Sequence, residues 1–154
     1  MNIFYIDPDP TYAAQSLMDV HVRKMTLETC QLLMTHDVLN GLPRPYRPTH
    51  INHPCRLSLY NINNYLWLVR YFYAICKEFK FRFDHDHACW DYYLEYYLRL
   101  NQNGDDPQFP QCMPIEFKRD TPLDGYRAYY KYKVDTFMQR GICKYTRRDT
   151  PYWL

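Results

Sequence analysis

Apolar and polar side chains follow one another along this chain mainly with the period of an α-helix. The pattern is strongest between residues 57 and 81, where apolar positions recur at steps of three and four and so share one helical face. That face carries Leu66, Val69, Phe72, Tyr73, Cys76 and Phe79. We predict a central core helix here, interrupted near residues 61–64, where three asparagines cluster.

Capping residues predict where the first helices begin and end. Asp9 followed by Pro10 predicts a start, because the carboxylate caps free amides and proline suits the first helical position. We expect that helix over residues 10–18. A second helix, nearly continuous with the first, should run to about residue 39 and stop at Asn40-Gly41.

The other predicted elements complete an all-α fold. A Pro-rich loop at 42–55 is followed, after the core helix, by an amphipathic helix over 88–100. An irregular stretch at 101–114 has its exposed tip at 103–106. A last long helix begins at the capping-box-like Thr121 and ends near Arg140-Gly141, and an aromatic C-terminal tail starts at residue 144. A chain of 154 residues is long enough for one core. We predict a single compact domain, residues 1–154, of about five to six helices.

Composition excludes some classes of protein. The net charge of +2 shows that the chain as a whole is not a polycation, although residues 116–154 carry nine cations against five acids. Only four glycines occur, and no glycine-rich phosphate-binding motif is present. The 17 tyrosines indicate an amphipathic core or a concave binding surface, because tyrosine buries a ring while keeping a hydroxyl for a partner.

The cysteines and the first residues predict where the protein works. The six cysteines contain no CxxC pair, which favours buried free thiols in a reducing compartment over disulfides or a zinc site. Residues 1–7 lack the charge and apolar run of a signal peptide, and no stretch reaches the length of a membrane span. We expect a soluble cytoplasmic protein with no membrane partner, no metal and no cofactor.

A stripe of polar groups lies on the second predicted helix. His21, Lys24, Glu28 and Gln31 are spaced by three and four residues and therefore share a face. A histidine or lysine beside a carboxylate can act as an acid/base pair when burial tunes its pKa. On the sequence alone, the favoured interpretation is that this stripe is the solvent face of an amphipathic helix.

The Pro-rich loop that follows adds His50, Asn52 and His53. The two imidazoles can bind a metal with Cys55, bond to loop carbonyls, or contact a phosphate or base. The structural role is favoured, because no further ligand is spaced to complete a metal site.

Cations and aromatic rings alternate in the tail. Arg147, Arg148, Tyr152 and Trp153 offer guanidinium groups for phosphates and rings for bases. A ligand-facing role and a purely structural role are equally compatible with this tail.

Three local segments resemble the pyrimidine-dimer DNA glycosylase family of phages and bacteria. They are Val38-Leu39-Asn40-Gly41 followed by Tyr46 and Asn52-His53-Pro54, then Met113-Pro114-Ile115-Glu116-Phe117-Lys118, then Pro151-Tyr152-Trp153. The resemblance covers about half the chain. It implies a small all-α, DNA-binding protein in which Glu28 is the catalytic glutamate and His21 and Lys24 line the DNA-facing groove.

The resemblance also implies a nucleophile. Members of that family attack the sugar with an N-terminal amine that is freed when the initiator Met is removed. Here Asn2 is too large for efficient removal of Met1, so the chain departs from the family pattern at this point. Lys24 or a retained Met1 amine would then have to serve.

Two functions follow from these observations. The first is that of a phage-encoded DNA glycosylase or lyase with Glu28 as acid/base and Lys24 or the amino terminus as nucleophile. The alternative is a non-catalytic phage protein that captures a small nucleotide signal to evade host defence in the host cytoplasm. The alternative would need a deep pocket and is compatible with a homo-oligomer.

Overall fold

The computed structural model describes residues 2–99, 101–102 and 104–154, apart from the side chain of Tyr97. Its α-helices are α1 (Pro10–Gln15), α2 (Asp19–Leu39), α3 (Pro54–Leu57), α4 (Ile62–Phe83) and α5 (Pro122–Gln139). Short 3-10 segments lie at Ser58–Tyr60, Ala88–Glu95, Tyr97–Arg99 and Ile115–Phe117. The described residues contain no β-strand, so the predicted all-α class is confirmed.

The predicted helix starts follow from side-chain caps. The Asp9 carboxylate accepts a hydrogen bond from the backbone N–H of Thr11 at 2.7 Å. The Thr121 hydroxyl accepts one from the N–H of Asp124 at 3.1 Å. Asn61 caps α4 in the same way, which explains the predicted break before that helix. Each cap satisfies a first-turn amide that has no helical acceptor.

Two predicted helices differ from the structure. The first ends at Gln15 rather than residue 18. The predicted helix over 88–100 is a pair of 3-10 segments as far as it is described, and Leu100 lies outside the described residues. A 3-10 helix aligns positions three apart, which places Trp90, Tyr93 and Tyr96 in one row along the core. The rings of Trp90 and Tyr93 stack with their centroids 4.6 Å apart.

The irregular stretch 101–114 is tied to α4. The Asn64 side chain donates to the carbonyl of Gln108 at 3.0 Å and accepts from its N–H at 2.6 Å. A Cβ added at Gly104 would lie 2.3 Å from the Asn63 carbonyl oxygen. The predicted exposed tip is therefore wrong at Gly104, which is packed against the helix, and Asn103 lies outside the described residues.

One cluster of buried apolar residues runs from Ile3 to Val134. Helices α2 and α4 pack against each other, and the Trp67 and Tyr71 rings of α4 stack at 5.0 Å. Tyr126 and Tyr130 bring α5 into the same core. Among the described helices, none combines the length and apolar character needed to cross a bilayer.

A buried cation on α4 joins that helix to the end of α1 and to the start of α2. The Arg82 guanidinium donates to Glu78 at 2.7 Å, to Asp19 at 3.0 Å, and to the carbonyls of Leu17 and Gln15 at 2.7 and 2.8 Å. Its side chain has no exposed surface. Because Asp19 is the first residue of α2, this network sets where α2 begins relative to α4.

The tail closes over the same network. Thr146 donates to the Asp19 carboxylate through its backbone N–H at 3.0 Å and its hydroxyl at 2.7 Å. Burial raises the pKa of Asp19, but the bonds from Thr146 and Arg82 outweigh it, so the net pKa lies below its usual value. The start of α2 is thereby held by an ionised carboxylate.

Candidate functional site

A pocket of about 450 Å³ opens between α2, α5 and the N-terminal segment. Three of the candidates on the α2 stripe, His21, Lys24 and Glu28, line it. The full lining is Asn2, Phe4, Val20, His21, Lys24, Met25, Glu28, Cys112, Tyr129, Lys133 and Phe137. Volumes of this order are typical of small-molecule sites. We call it the Glu28 pocket.

Glu28 lies between two nitrogen atoms. Its Oε2 accepts a hydrogen bond from the backbone nitrogen of Asn2 at 3.4 Å, and its Oε1 lies 3.6 Å from Lys24 Nζ. The Glu28 side chain is 16% exposed and that of Lys24 is 63% exposed, so the carboxylate lies inside the pocket and the ammonium lies towards solvent. The arrangement can hold a proton beside an amine and pass it to a bound molecule.

Asn2 is held firmly in this position. Its side-chain amide donates to the Cys112 carbonyl at 2.9 Å, and its amide oxygen accepts from the N–H of Phe4 at 2.9 Å. Both ends of the side chain are therefore engaged, and the backbone nitrogen is directed towards Glu28.

A model of the pyrimidine dimer DNA glycosylase family matches residues 1–91. The chain belongs to the pyrimidine dimer DNA glycosylase family. Searches of curated proteins and of solved structures each gave no match. The matched part contains α1 to α4 and seven of the pocket residues: Asn2, Phe4, Val20, His21, Lys24, Met25 and Glu28. In this glycosylase-family chain the rest of the pocket wall comes from beyond residue 91.

The predicted solvent-face interpretation of the α2 stripe is wrong at His21. This residue is 6% exposed, its Nδ1 lies 3.0 Å from the Tyr130 hydroxyl, and its ring stacks on Phe4 at 5.0 Å. Gln31 is half-buried, and Lys24 alone of the four is exposed. Because α5 and the N-terminal segment cover this part of α2, the stripe forms a pocket wall.

His21 is held neutral at physiological pH. Burial lowers its pKa to about 4, and the charges of Lys24 and Lys133 act in the same direction. A neutral ring supports a positioning role in the pocket wall. It does not support a role as a protonated general acid at pH 7.

This shift predicts acid sensitivity. Between the ordinary pKa of 6.5 and about 4, the unfolded chain binds a proton at His21 that the folded chain does not. The free energy of unfolding should therefore fall as pH drops through that window, by about 2 kcal/mol between pH 7.5 and pH 5 from this group. Urea denaturation at both pH values of the protein and of His21→Gln measures the difference.

The control is His85→Gln, since His85 is an exposed histidine. Burial also lowers the pKa values of His36 and His53, so both variants should retain part of the acid sensitivity. Only His21→Gln should reduce it by about 2 kcal/mol. Equal pH dependence in the two variants would show that His21 is not held neutral in the fold.

The histidines of the Pro-rich loop do not line the Glu28 pocket. His53 Nδ1 accepts a hydrogen bond from the N–H of Cys55 at 3.2 Å and so caps α3. Burial lowers its pKa, and the nearby Glu28 charge opposes that effect. His50 and Asn52 are exposed, and the ring centroids of the two histidines are 6.4 Å apart. These contacts fit the structural role.

All six cysteines are free thiols, and four of them are buried. Cys55 and Cys112 nevertheless lie close together, with their Sγ atoms 3.4 Å apart. The hydrogen bond that the Cys55 thiol donates to Cys112 Sγ lowers the pKa of the Cys112 thiol. These two residues are 57 positions apart, so no local spacing could have paired them.

The candidate residues of the tail do not line the Glu28 pocket. Arg147 donates to both oxygens of Asp84 at 2.7 and 2.6 Å, and Arg148 donates to both oxygens of Glu78 at 3.0 and 2.8 Å. Their guanidinium groups therefore bind the tail to α4. Any ligand-binding role for them stays a prediction.

The aromatic end of the tail is less enclosed. Tyr152 is 89% exposed and lines a second pocket of about 470 Å³ between α1 and the tail, together with Arg148. Trp153 packs edge-on to Tyr130 and lies under the Arg127 guanidinium at 5.2 Å. The predicted site residues that line neither of these two pockets are Gln31, His50, Asn52, His53, Arg147 and Trp153.

Several residues of the Glu28 pocket are not indicated by the sequence. The sequence marks Asn2 only as an obstacle to removal of Met1, and it assigns Cys112, Tyr129 and Lys133 no part in this site. Lys133 is half-buried and is the second lysine of the pocket. The sequence signal for it is the alternation of tyrosines and lysines over residues 129–133, which fits a flank of the core as well as a binding surface.

Proposed function

We propose that this protein is a DNA glycosylase with an associated lyase activity, and that Glu28 serves an amine nucleophile in its pocket. The main support for this proposal is that the backbone nitrogen of Asn2 lies 3.4 Å from Glu28 Oε2. Membership of the pyrimidine dimer DNA glycosylase family supports damaged DNA as the substrate. A pocket of about 450 Å³ is compatible with an extruded nucleotide.

The proposed reaction needs one carboxylate and one amine. The amine nitrogen attacks C1′ of the deoxyribose as the bond from C1′ to the base breaks, and the base leaves and takes a proton from solvent. Glu28 accepts a proton from the attacking amine and returns it to the ring oxygen O4′. The sugar ring then opens, and an iminium joins the amine to C1′.

Two nitrogen atoms are candidates for the nucleophile. Removal of Met1 would make the Asn2 nitrogen the α-amine, and a retained Met1 would carry it one residue away, although Met1 lies outside the described residues. Lys24 Nζ lies 3.6 Å from the other Glu28 oxygen. We assign the attack to the chain's α-amine, because Asn2 is fixed in the pocket whereas the Lys24 side chain is largely exposed.

Borohydride trapping with abasic-site DNA tests the proposal. Reduction of the iminium should leave a stable covalent adduct, and mapping by proteolysis and mass spectrometry should place it on the N-terminal peptide. Lys24→Arg should retain the adduct, as should the control Lys133→Arg at the second pocket lysine. An adduct on Lys24 would move the nucleophile to that residue, and no adduct in any form would contradict the proposal.

The alternative of nucleotide capture is supported by the composition of the same pocket. Lys24 and Lys133 can bind phosphates, and the half-buried ring of Tyr129 can stack on a base. It predicts a nucleotide that copurifies with the protein as a homo-oligomer, and no adduct. Native mass spectrometry separates the two functions, while phage origin and a role against host defence stay predictions.

A further inference from the structure

Two thiols and an imidazole converge beside the Glu28 pocket. The Sγ atoms of Cys55 and Cys112 are 3.4 Å apart, and a ring nitrogen of His53 lies with them so that all three atoms are within 4.8 Å of one another. His53 and Cys55 come from the start of α3, whereas Cys112 comes from the irregular stretch before α5. Cys112 also lines the Glu28 pocket.

We propose that His53, Cys55 and Cys112 bind one zinc ion. Zinc holds thiolate sulfur at about 2.3 Å and imidazole nitrogen at about 2.0–2.1 Å in a tetrahedron, so its ligand atoms lie about 3.6–3.8 Å from one another. The two sulfur atoms are already near that separation. A small rotation of the His53 ring brings its nitrogen to the same range, and a water molecule can complete the four ligands.

The donor set selects the kind of ion. Two thiolates and an imidazole suit zinc and other soft or borderline metals, whereas magnesium and calcium prefer oxygen. Cys112 and His53 are half-buried, which gives an ion a path from solvent. The other close-packed thiols, Cys30, Cys76 and Cys89, are buried. Coordination through His53 Nδ1 would replace the weak bond that it accepts from Cys55.

A bound ion would also act on the pocket. The Cys112 carbonyl accepts the hydrogen bond from the Asn2 side chain at 2.9 Å. An ion on Cys112 Sγ would therefore fix the segment that holds Asn2 against Glu28. The site would link α3, the segment around Cys112 and the N-terminal segment, which are far apart in the sequence.

Cobalt is a suitable probe, because Co²⁺ takes the same ligands and absorbs light when bound to thiolate. The full-length protein, reduced and freed of metal by a chelator, should bind one equivalent of Co²⁺ with thiolate-to-cobalt charge-transfer absorption, and Zn²⁺ should displace it. Cys112→Ser should weaken Co²⁺ binding by more than about 100-fold, since loss of an outer-shell partner alone costs about 10–100-fold.

The matched control is Cys143→Ser, another half-buried free cysteine, which lies outside the cluster. This variant should bind Co²⁺ as the unaltered protein does, and Zn²⁺ should raise its Tm but not that of Cys112→Ser. Equal Co²⁺ binding by the two variants, or no charge-transfer absorption in the unaltered protein, would overturn the proposal. A Cys55–Cys112 disulfide that survives treatment with a thiol reductant would also overturn it. None of these measurements uses DNA, so their outcome is separate from that of the proposed function.

Discussion

Glu28→Gln should nearly abolish trapping on abasic-site DNA. The amide keeps the shape of the side chain and can still accept the bond from the Asn2 nitrogen, but it cannot take a proton from the attacking amine. General acid–base groups contribute about 10²–10⁴-fold, so we expect the rate of adduct formation to fall at least about 100-fold. Single-turnover trapping with the protein in excess over the DNA measures this rate.

The control for this substitution must remove a negative charge without touching the pocket. Asp135→Asn does so on α5, at an exposed position outside the pocket lining. It should leave trapping unchanged, and a DNA-binding assay should show that both variants still bind the substrate. If Glu28→Gln traps as fast as Asp135→Asn, Glu28 is not the proton carrier.

Arg82→Leu should cause the largest loss of stability among these substitutions. It leaves the Glu78 carboxylate, which is almost fully buried, without its cation from α4 and removes one partner of Asp19. Arg148 still pairs with Glu78, but the Leu17 and Gln15 carbonyls also lose their donor. We therefore expect a loss near the lower end of the roughly 3–5 kcal/mol that breaking a buried ion pair from one side typically costs. Urea denaturation at pH 7 measures the free energy of unfolding.

Lys80→Ala, two residues earlier on α4, is the matched control. Lys80 pairs with Asp86 at 3.1 Å, but both side chains are largely exposed. Exposed pairs contribute about 0–1 kcal/mol, so this variant should unfold close to the midpoint of the unaltered protein. Similar losses in the two variants would mean that the Arg82 network does not hold the fold together.

The site was only partly predictable. The spacing of His21, Lys24 and Glu28 placed them on one face, and the structure brings them to one pocket wall. Whether that face was covered depended on α5, whose side chains are more than 100 positions away in the sequence. Periodicity reports which residues share a face, but it does not report what packs against it.

The tail shows the same limit for charged groups. A guanidinium near aromatic rings suits a phosphate or a carboxylate equally well. Only the folded chain brings Asp84 and Glu78 within hydrogen-bond distance of Arg147 and Arg148. The partner of a long cationic side chain is decided by whichever acid the fold places within reach.

The sequence by itself determined the helical class, most helix ends and the family, because these depend on residues within a few positions of one another. Caps such as Asp9, Asn61 and Thr121 act on amides two or three residues ahead. The tertiary structure alone decided that Asn2 meets Glu28 and that Cys55 meets Cys112. Such contacts form only when burial of the shared core compensates for the entropy of bringing distant segments together.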